Sequence, residues 1–223
     1  MLFLYNPTAG KGRVTADLAA VLDVFTKAGY LTTVYPTQGK ADATRIAAEL
    51  GGQFDRVVCS GGDGTLSETV SGLMQLDHPP VLGYIPFGST NDCATTLRLP
   101  RDPVKAAQTA SETGVPRPWD IGRLNGRPFV YVAAFGAFTE VSYDTPQDLK
   151  NTFGHLAYVM AGIASLPSIT PYHLRIECDD QVLEDDFFYG MVCNTISVGG
   201  MKALPTDRVV LDDGLLYFDY YDL

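Results

Sequence analysis

Positive charge and long apolar runs are both scarce in this sequence. Its 223 residues include 16 Lys and Arg against 26 Asp and Glu, which gives a formal net charge of −10. This balance argues against nucleic acid as a partner and against broad adsorption to anionic membranes, because both surfaces are themselves negative. The longest apolar runs, 129–138 and 156–166, are too short to span a bilayer as a helix.

Cysteine and histidine are scarce as well. The four cysteines show no close pairing pattern, and several lie in apolar, strand-like runs (Cys59, Cys93, Cys178 and Cys193). We therefore expect buried thiols in a reducing cytosol. The three histidines are widely scattered, so no zinc site is expected. In contrast, 46% of the residues are apolar, which is enough for a substantial folded core.

The sequence divides into two parts of different character. Residues 1–116 alternate strand-like and helical patterns, which predicts an α/β nucleotide-binding domain with a parallel sheet and helices on both faces. Residues 117–223 contain mostly strand-like runs, which predicts a mainly antiparallel β domain. The predicted strands are Leu2–Tyr5, Thr32–Tyr35, Arg56–Ser60, Val81–Ile85, Phe129–Ala134, Tyr172–Cys178, Val182–Thr195 and Val209–Tyr221. The predicted helices include Ala41–Leu50, Val104–Thr113 and one between Leu149 and Leu166.

The most informative stretch of the sequence is 56–65. A short β-branched strand runs into Gly61, Gly62, Asp63 and Gly64, and helix-forming residues follow. Backbone N–H groups at such a helix N-terminus can bind an anion, and glycine lets the backbone come close to a phosphate. An acid in a phosphate-binding turn needs a divalent cation between the two negative charges. The stretch therefore predicts either a nucleotide-phosphate site with a Mg²⁺-linked Asp63, or a plain turn with Asp63 as a helix cap.

Two further strands end in loops of the same kind. The first loop, 6–13, contains glycines and two cations but matches neither a Walker A loop nor a dinucleotide fingerprint. The second, 87–92, offers two hydroxyls, an amide and a carboxylate where a helix begins, which is more than capping requires. Because all three loops follow strands of a parallel sheet, we expect them to converge at its carboxyl edge.

The three loops together resemble the catalytic domain of diacylglycerol kinases and related lipid kinases. The resemblance rests on motifs in the order and spacing of the family: Asn6-Pro7-x-x-Gly10, Gly61-Gly62-Asp63-Gly64-Thr65 and Pro86-x-Gly88-x-x-Asn91-Asp92. Ser89 stands where the family usually has Thr, and it keeps the hydroxyl. The resemblance continues through 120–122 and 211–215, so it covers nearly the whole chain.

The resemblance implies an ATP-dependent lipid kinase whose two domains enclose a cleft. Such an enzyme transfers the γ-phosphoryl group of Mg·ATP to a lipid hydroxyl, and we expect the lipid to be diacylglycerol. We also expect a cytoplasmic protein that associates transiently with the membrane surface, where its lipid substrate lies. A charged network that holds the Mg²⁺–nucleotide is expected from Lys11, Asp63, Asp92 and Asp120. The nucleotide site is expected to comprise Asn6, Pro7, Gly10, Lys11, Gly61, Gly62, Asp63, Gly64, Thr65, Gly88, Ser89, Thr90 and Asn91.

The segment 211–215 has two compatible interpretations. Asp-Gly between strand-like runs is a strong signal for a β-hairpin turn. The resemblance also implies a structural Mg²⁺ site, with the carboxylate of Asp213 and the backbone carbonyls of Val210 and Leu215 as ligands.

One motif of the family has no counterpart in the sequence. Family members continue for several tens of residues and carry an Asp-Gly-Glu motif, whose acid is thought to act as general base on the lipid hydroxyl. Here Asp213-Gly214 is followed by Leu215. We therefore expect the general base beyond Leu223 in a longer chain, and the activity of these 223 residues alone stays open.

The sequence leaves several alternatives for the acceptor and the class of protein. Sphingoid or polyprenol lipids are alternatives to diacylglycerol. NAD is a further alternative acceptor, although the Asn-Pro opening and the 86–92 loop argue against it. A lipid- or nucleotide-binding protein without catalysis is an alternative class of protein. A homodimer is compatible with the sequence. One apolar set is expected either to line an acyl-chain pocket or to form core: Phe135, Phe138, Phe153, Tyr158, Met160 and Ile163.

Overall fold

The computed structural model describes residues 1–136, 171–178, 181–202, 204–206 and 208–222. The chain forms two compact units. Unit 1 comprises Met1–Tyr131 and Thr195–Gly214, and unit 2 comprises Val132–Asn194 and Leu215–Leu223. Unit 1 thus extends past residue 116 and includes a returning segment, Thr195–Gly214. The predicted division into a nucleotide domain and a lipid-substrate domain stays a prediction.

Strands and helices alternate through the first part of unit 1, as predicted. The elements are β1 (Leu2–Tyr5), α1 (Arg13–Lys27), β2 (Thr33–Pro36), α2 (Asp42–Leu50), β3 (Arg56–Gly61), α3 (Asp63–Leu73), β4 (Val81–Pro86), α4 (Asp92–Thr96) and α5 (Pro103–Gln108). The predicted helix Val104–Thr113 is α5 continued by a π-helical turn, Thr109–Thr113.

Four parallel strands form the centre of unit 1, in the order β2-β1-β3-β4. Successive side chains of a strand point to opposite faces. Phe3 and Val58 therefore pack with residues of α1 and α5, whereas Leu2, Leu4 and Val57 pack with residues of α2 and α3. These two apolar clusters confirm the predicted parallel sheet with helices on both faces.

The later elements are mostly short strands. They are β5 (Gly122–Leu124), β6 (Arg127–Phe129), β7 (Val132–Gly136), β8 (Tyr172–Cys178), β9 (Gln181–Cys193), β10 (Ser197–Val198), β11 (Met201–Lys202) and β12 (Tyr217–Asp222). In unit 2 the strands lie in the order β12-β9-β7, with β8 also paired to β9, and every pairing is antiparallel. In unit 1, β5–β6 and β10–β11 are antiparallel hairpins.

Two predicted strands are wrong in their extent. The run Phe129–Ala134 is broken, because β6 pairs with β5 whereas β7 joins the sheet of unit 2. The run Val209–Tyr221 is a strand only from Tyr217 onward, because a turn at 211–214 contains Gly214 with φ +77°. The predicted hairpin at this turn is also wrong, since β12 pairs with β9.

Some predictions concern residues that the structure does not describe. The helix between Leu149 and Leu166 lies outside the described residues, as do Phe138, Phe153, Tyr158, Met160 and Ile163 of the apolar set. Among the helices of the described ranges, each is too short or too polar to cross a lipid bilayer. Cys59, Cys93 and Cys193 are buried, in agreement with the predicted buried thiols.

Candidate active site

The three glycine-containing loops converge at the carboxyl edge of the parallel sheet. The backbone N–H of Asn6 donates to the carbonyl of Ser60 at 2.9 Å, which joins the first loop to the end of β3. The N–H of Phe87 donates to the carbonyl of Gly61 at 2.7 Å, which joins the second and third loops. A Cβ on Gly10 would lie 2.9 Å from the carbonyl oxygen of Phe87, so the first and third loops are also in contact.

Close packing around the second loop explains two of the glycines. A Cβ on Gly88 would lie 2.6 Å from the Cα of Gly62, a distance that real Cβ atoms do not adopt. A Cβ on Gly61 would lie 2.4 Å from the hydroxyl oxygen of Thr65, because that buried side chain packs over Gly61. Gly88 and Gly61 are therefore required by contacts within the protein itself.

Gly64 is different from these two glycines. It is the second residue of α3, and a Cβ built on it meets no other atom within 4 Å. Glycine inside a helix is less stable than alanine by roughly 0.5–1 kcal/mol. Nothing within the described protein requires glycine at this exposed position. The space in front of the α3 N-terminus is therefore open.

The carboxylate of Asp63 caps a helix other than its own. Its Oδ2 accepts the N–H of Asp92 and its Oδ1 accepts the N–H of Cys93, both at 3.0 Å, and these are the first two residues of α4. The N-cap of α3 itself is Gly62, without a side-chain hydrogen bond. Asp63 is thus a helix cap, as one of the two interpretations predicted, but of α4 and not of α3. The Cys93 side chain is a further hydrogen-bond partner of this carboxylate.

Burial, hydrogen bonds and a neighbouring acid all act on the ionisation of Asp63. Burial raises the pKa of Asp63 above its usual value, the N–H groups of Cys93 and Asp92 lower it, and the Asp92 carboxylate raises it further. Burial likewise raises the pKa of the Cys59 thiol to about 12 and that of the Cys93 thiol well above its ordinary value, so both thiols are neutral. A cation beside Asp63 would stabilise its ionised form.

Asn91 holds the third loop in shape. Its Oδ1 accepts the N–H of Gly88 and its Nδ2 donates to the carbonyl of Gly88, both at 2.7 Å. The hydroxyl of Tyr84 donates to the carbonyl of Gly61 at 3.1 Å and lies 3.4 Å from the Oδ1 of Asn91. Asn91 has φ +57°, in the left-handed region that asparagine tolerates better than most residues. The predicted contact of Asn91 with a nucleotide stays a prediction.

The first loop is a left-handed turn with an exposed cation. Gly10, Lys11 and Gly12 all have positive φ, of 58°, 62° and 79°. The Oδ1 of Asn6 accepts the N–H and the hydroxyl of Thr8, at 3.0 and 2.8 Å, and so begins the turn. Lys11 is exposed on this turn, at the same sheet edge as Asp63.

A cavity of about 230 Å³ lies against the third loop. It is lined by the loop residues Gly88–Asn91, by Gly10, and by two arginines, Arg13 and Arg101. Two guanidinium groups and two exposed hydroxyls form a lining suited to phosphate oxygens. Arg13 was visible in the sequence only as the second cation of the first loop, and Arg101, which precedes α5, gave no sequence signal.

Asp92 and Asp120, the other predicted acids, each bind a returning segment of unit 1. The Asp92 carboxylate accepts hydrogen bonds from residues 197–200. Asp120 donates its N–H to the carbonyl of Leu211 at 2.7 Å, and its Oδ2 accepts the N–H of Gly214 at 2.6 Å. Two motifs that carried the resemblance, 120–122 and 211–215, are therefore in direct contact.

The predicted structural Mg²⁺ ligands lie on exposed backbone around the 211–214 turn. Val210, Asp213 and Leu215 are all exposed. Across the described residues, acidic, histidine and cysteine side chains nowhere gather in a group of three or more that could hold a metal ion. A site built on one carboxylate and backbone carbonyls stays a prediction.

Comparison with known proteins agrees with the geometry of the loops. Residues 1–124 match the family model of the diacylglycerol kinase catalytic domain. The chain is 42% identical over 213 residues to a diacylglycerol kinase of Bacillus subtilis and 39% identical over 212 residues to one of Staphylococcus saprophyticus. Both alignments cover 95% of this chain, and 70% and 69% of the relatives.

A solved structure leads to the same assignment. The crystal structure of a diacylglycerol kinase from Bacillus anthracis superposes with a TM-score of 0.82 at 28% identity, covering 99% of this chain and 72% of that one. The similarity thus includes both the three glycine-containing loops and the later strands. This chain belongs to the diacylglycerol kinase catalytic domain family.

Proposed function

We propose that this protein transfers the γ-phosphoryl group of Mg·ATP to the hydroxyl of diacylglycerol and so produces phosphatidic acid. Membership of a kinase family makes it a phosphotransferase that uses ATP. The observation that carries the proposal is the convergence of three loops at the sheet edge where α3 begins, with open space in front of Gly64. The acceptor is taken from the printed names of the relatives.

The loop residues have distinct proposed roles in binding ATP. The N-terminus of α3 and the open space at Gly64 receive phosphate oxygens, since unpaired N–H groups there favour an anion. Arg13 and Arg101 line the cavity beside the third loop, and Lys11 is exposed on the first loop. Their proposed role is to neutralise the negative charge of the bound nucleotide. Phosphoryl transfer needs mainly positioning and neutralisation of charge, which these groups provide.

The donors around Asp63 fit a nucleotide-bound Mg²⁺ and not a metal cage made by the protein. Mg²⁺ in kinases keeps several waters and is held by one or two carboxylates together with substrate phosphates. Asp63 is one such carboxylate, and its hydrogen bonds to α4 do not use all the lone pairs of its two oxygens. When bound, the ion would neutralise charge that develops on the transferred phosphoryl group.

Gly64→Ala is expected to separate binding from folding. The new methyl group meets no protein atom, so the thermal midpoint should stay unchanged or rise slightly. The same methyl group projects into the proposed phosphate space, so the affinity for ATP should fall by about tenfold or more. Circular dichroism measures the first quantity and titration calorimetry the second.

Gly52→Ala is the matched control for this substitution. Its Cβ meets only Leu76, at 3.7 and 3.8 Å, in a 3-10 turn outside the three loops. We expect wild-type ATP affinity in this variant. Wild-type affinity in Gly64→Ala as well would contradict the proposed phosphate site.

A transfer assay tests the whole proposal. Radiolabelled γ-phosphate transfer from Mg·ATP is measured with diacylglycerol in mixed micelles, beside a panel of sphingoid and polyprenol lipids and NAD. Labelled phosphatidic acid supports the proposal. Transfer to another member of the panel would show that this compound, and not diacylglycerol, is the acceptor. ATP binding without any transfer would favour a binding protein.

A further inference from the structure

The carboxylate of Asp92 is almost completely buried beside the candidate site. Asp92 is only 2% exposed. Its Oδ1 accepts the hydroxyl of Ser197 at 2.5 Å and the N–H of Gly200 at 3.0 Å, and its Oδ2 accepts the N–H of Gly199 at 2.8 Å. Three donors from one short segment therefore surround a single carboxylate, as expected for a buried charge that is stabilised by hydrogen bonds.

The three donors belong to the β10–β11 hairpin. Its turn residues, Gly199 and Gly200, have φ +62° and +81°, which is the backbone of a tight two-residue hairpin turn. Both turn N–H groups point to the Asp92 carboxylate. A residue other than glycine would be strained at either position. The two glycines therefore give the turn the backbone shape that directs both N–H groups to Asp92.

A second contact holds the approach to the hairpin against the same face of α4. The hydroxyls of Thr96 and Thr195 lie 2.6 Å apart, and the N–H of Ile196 donates to the Thr96 hydroxyl at 3.3 Å. Thr96 follows Asp92 by four residues, so the two side chains share one face of the helix. Segment 195–200 is thus bound along the length of α4.

Asp92 also connects the hairpin to the loops of the candidate site. Its own N–H donates to the Oδ2 of Asp63 at 3.0 Å. A Cβ on Gly200 would lie 3.2 Å from the methyl carbon of Thr90, so the hairpin turn packs against the third loop. A displacement of the hairpin would therefore reach both Asp63 and Thr90.

We infer that Ser197 and Asp92 are positioning residues, which hold the start of α4 and the third loop in the geometry that binds Mg·ATP. This inference rests on the proposed function and assigns the Asp92 carboxylate to the protein's own hairpin. Both lone pairs of its Oδ1 are taken by Ser197 and Gly200, so that oxygen has none left for a metal ion. Asp92 acts on the nucleotide through Asp63 and the third loop.

Ser197→Ala tests the inference. Removing the hydroxyl leaves a buried carboxylate short of one donor, and the start of α4 should shift or loosen. Hydrogen exchange of the Asp92 and Cys93 amides, which donate to Asp63, should become faster while exchange in β1 and β3 is unchanged. Affinity for Mg·ATP should fall by roughly tenfold, because small displacements of positioning groups have large effects on productive binding. The KM for the lipid acceptor should stay close to wild type.

Two further variants separate positioning from general loss of stability. Ser197→Thr keeps the hydroxyl and should restore most of the ATP affinity. Ser111→Ala removes another buried hydroxyl, which donates to the Ala107 carbonyl at 2.7 Å, and should leave ATP affinity unchanged. A double substitution of Asp92→Asn with Ser197→Ala should lose less than the sum of the two single losses.

The outcomes distinguish this inference from the proposed function. Unchanged amide exchange at Asp92 and Cys93 in Ser197→Ala would overturn the inference, as would wild-type ATP affinity in that variant. A wild-type protein that neither binds ATP nor transfers phosphate would overturn the proposed function. In that case the exchange experiment still decides whether Ser197 positions α4.

Discussion

Asp63→Asn is expected to lower kcat/KM for phosphoryl transfer by roughly 100-fold or more, the size of effect seen when one preorganised charge-stabilising group is removed. The substitution removes the negative charge proposed to face the nucleotide Mg²⁺. It also turns an amide NH₂ toward the N–H of either Asp92 or Cys93, since both carboxylate oxygens accept hydrogen bonds from α4. Steady-state kinetics at several Mg·ATP concentrations measure the loss.

The loss of activity at Asp63 is expected to exceed the loss of stability. An unsatisfied or opposed N–H costs about 1–3 kcal/mol of unfolding free energy. For a chain of this size, each kcal/mol lowers the thermal midpoint by about 2–4 °C. The variant should therefore remain folded at 25 °C while transfer is nearly abolished. A variant with wild-type kinetics would remove Asp63 from the site.

The pH dependence gives a second test of Asp63. Burial raises the pKa of Asp63 above the ordinary value of 3.8, so its ionised form is lost at a higher pH than for an exposed aspartate. As pH falls through that raised pKa, kcat/KM should decrease in the wild type. The residual activity of Asp63→Asn should not show this decrease in kcat/KM at low pH.

Asp102→Asn is the matched control for Asp63→Asn. The Oδ1 of Asp102 accepts the N–H of Lys105 at 2.9 Å and caps α5, just as Asp63 caps α4. Asparagine caps helices about as well as aspartate. We expect near wild-type stability and activity for this control, so a loss confined to Asp63 cannot be assigned to helix capping alone.

Gly88→Ala is expected to have the largest combined effect on folding and binding. Its Cβ would lie 2.6 Å from the Cα of Gly62 and 2.7 Å from the Oδ1 of Asn91. The first atom belongs to the backbone and cannot rotate away, so the second and third loops must separate. Overpacking of this kind costs about 1–3 kcal/mol, occasionally more. We also expect ATP affinity to fall by at least about tenfold, because both loops contribute to the proposed site.

Gly72→Ala provides a control with a similar clash at another place. Its Cβ would meet the carbonyl oxygen of Thr44 and the Cβ of Ala47, where α3 packs on α2. We expect a comparable drop in the thermal midpoint with nearly unchanged ATP affinity of the folded protein. Equal losses of ATP affinity in both variants would mean that the contact of the two loops has no particular role in binding.

The glycines illustrate how far reasoning from the sequence reaches. The sequence predicted that glycines at the strand ends let a phosphate approach the backbone, and it treated them alike. In the folded chain Gly61 and Gly88 are needed because Thr65 and Gly62 pack against them, whereas Gly64 faces open space. Only the folded structure distinguishes a glycine required by packing from a glycine that faces open space.

The predicted strands failed where a partner strand decides the outcome. Phe129–Ala134 reads as one continuous β run, yet its two ends join different sheets. Val209–Tyr221 contains a turn whose Gly214 donates its N–H to Asp120. Strand propensity is a local property, but the sheet that a strand joins depends on distant residues.

Periodicity, turn chemistry and motif spacing are local properties, so residue order alone was enough to predict the alternation of strands and helices in residues 1–116, the three loops at one sheet edge, and the family. The hydrogen-bond donors of each acid became visible only in the folded chain. Asp63 caps α4 across 29 and 30 residues, and Asp92 meets Ser197 across 105 residues. A buried carboxylate must find hydrogen-bond donors wherever folding places them, and sequence spacing does not reveal those partners.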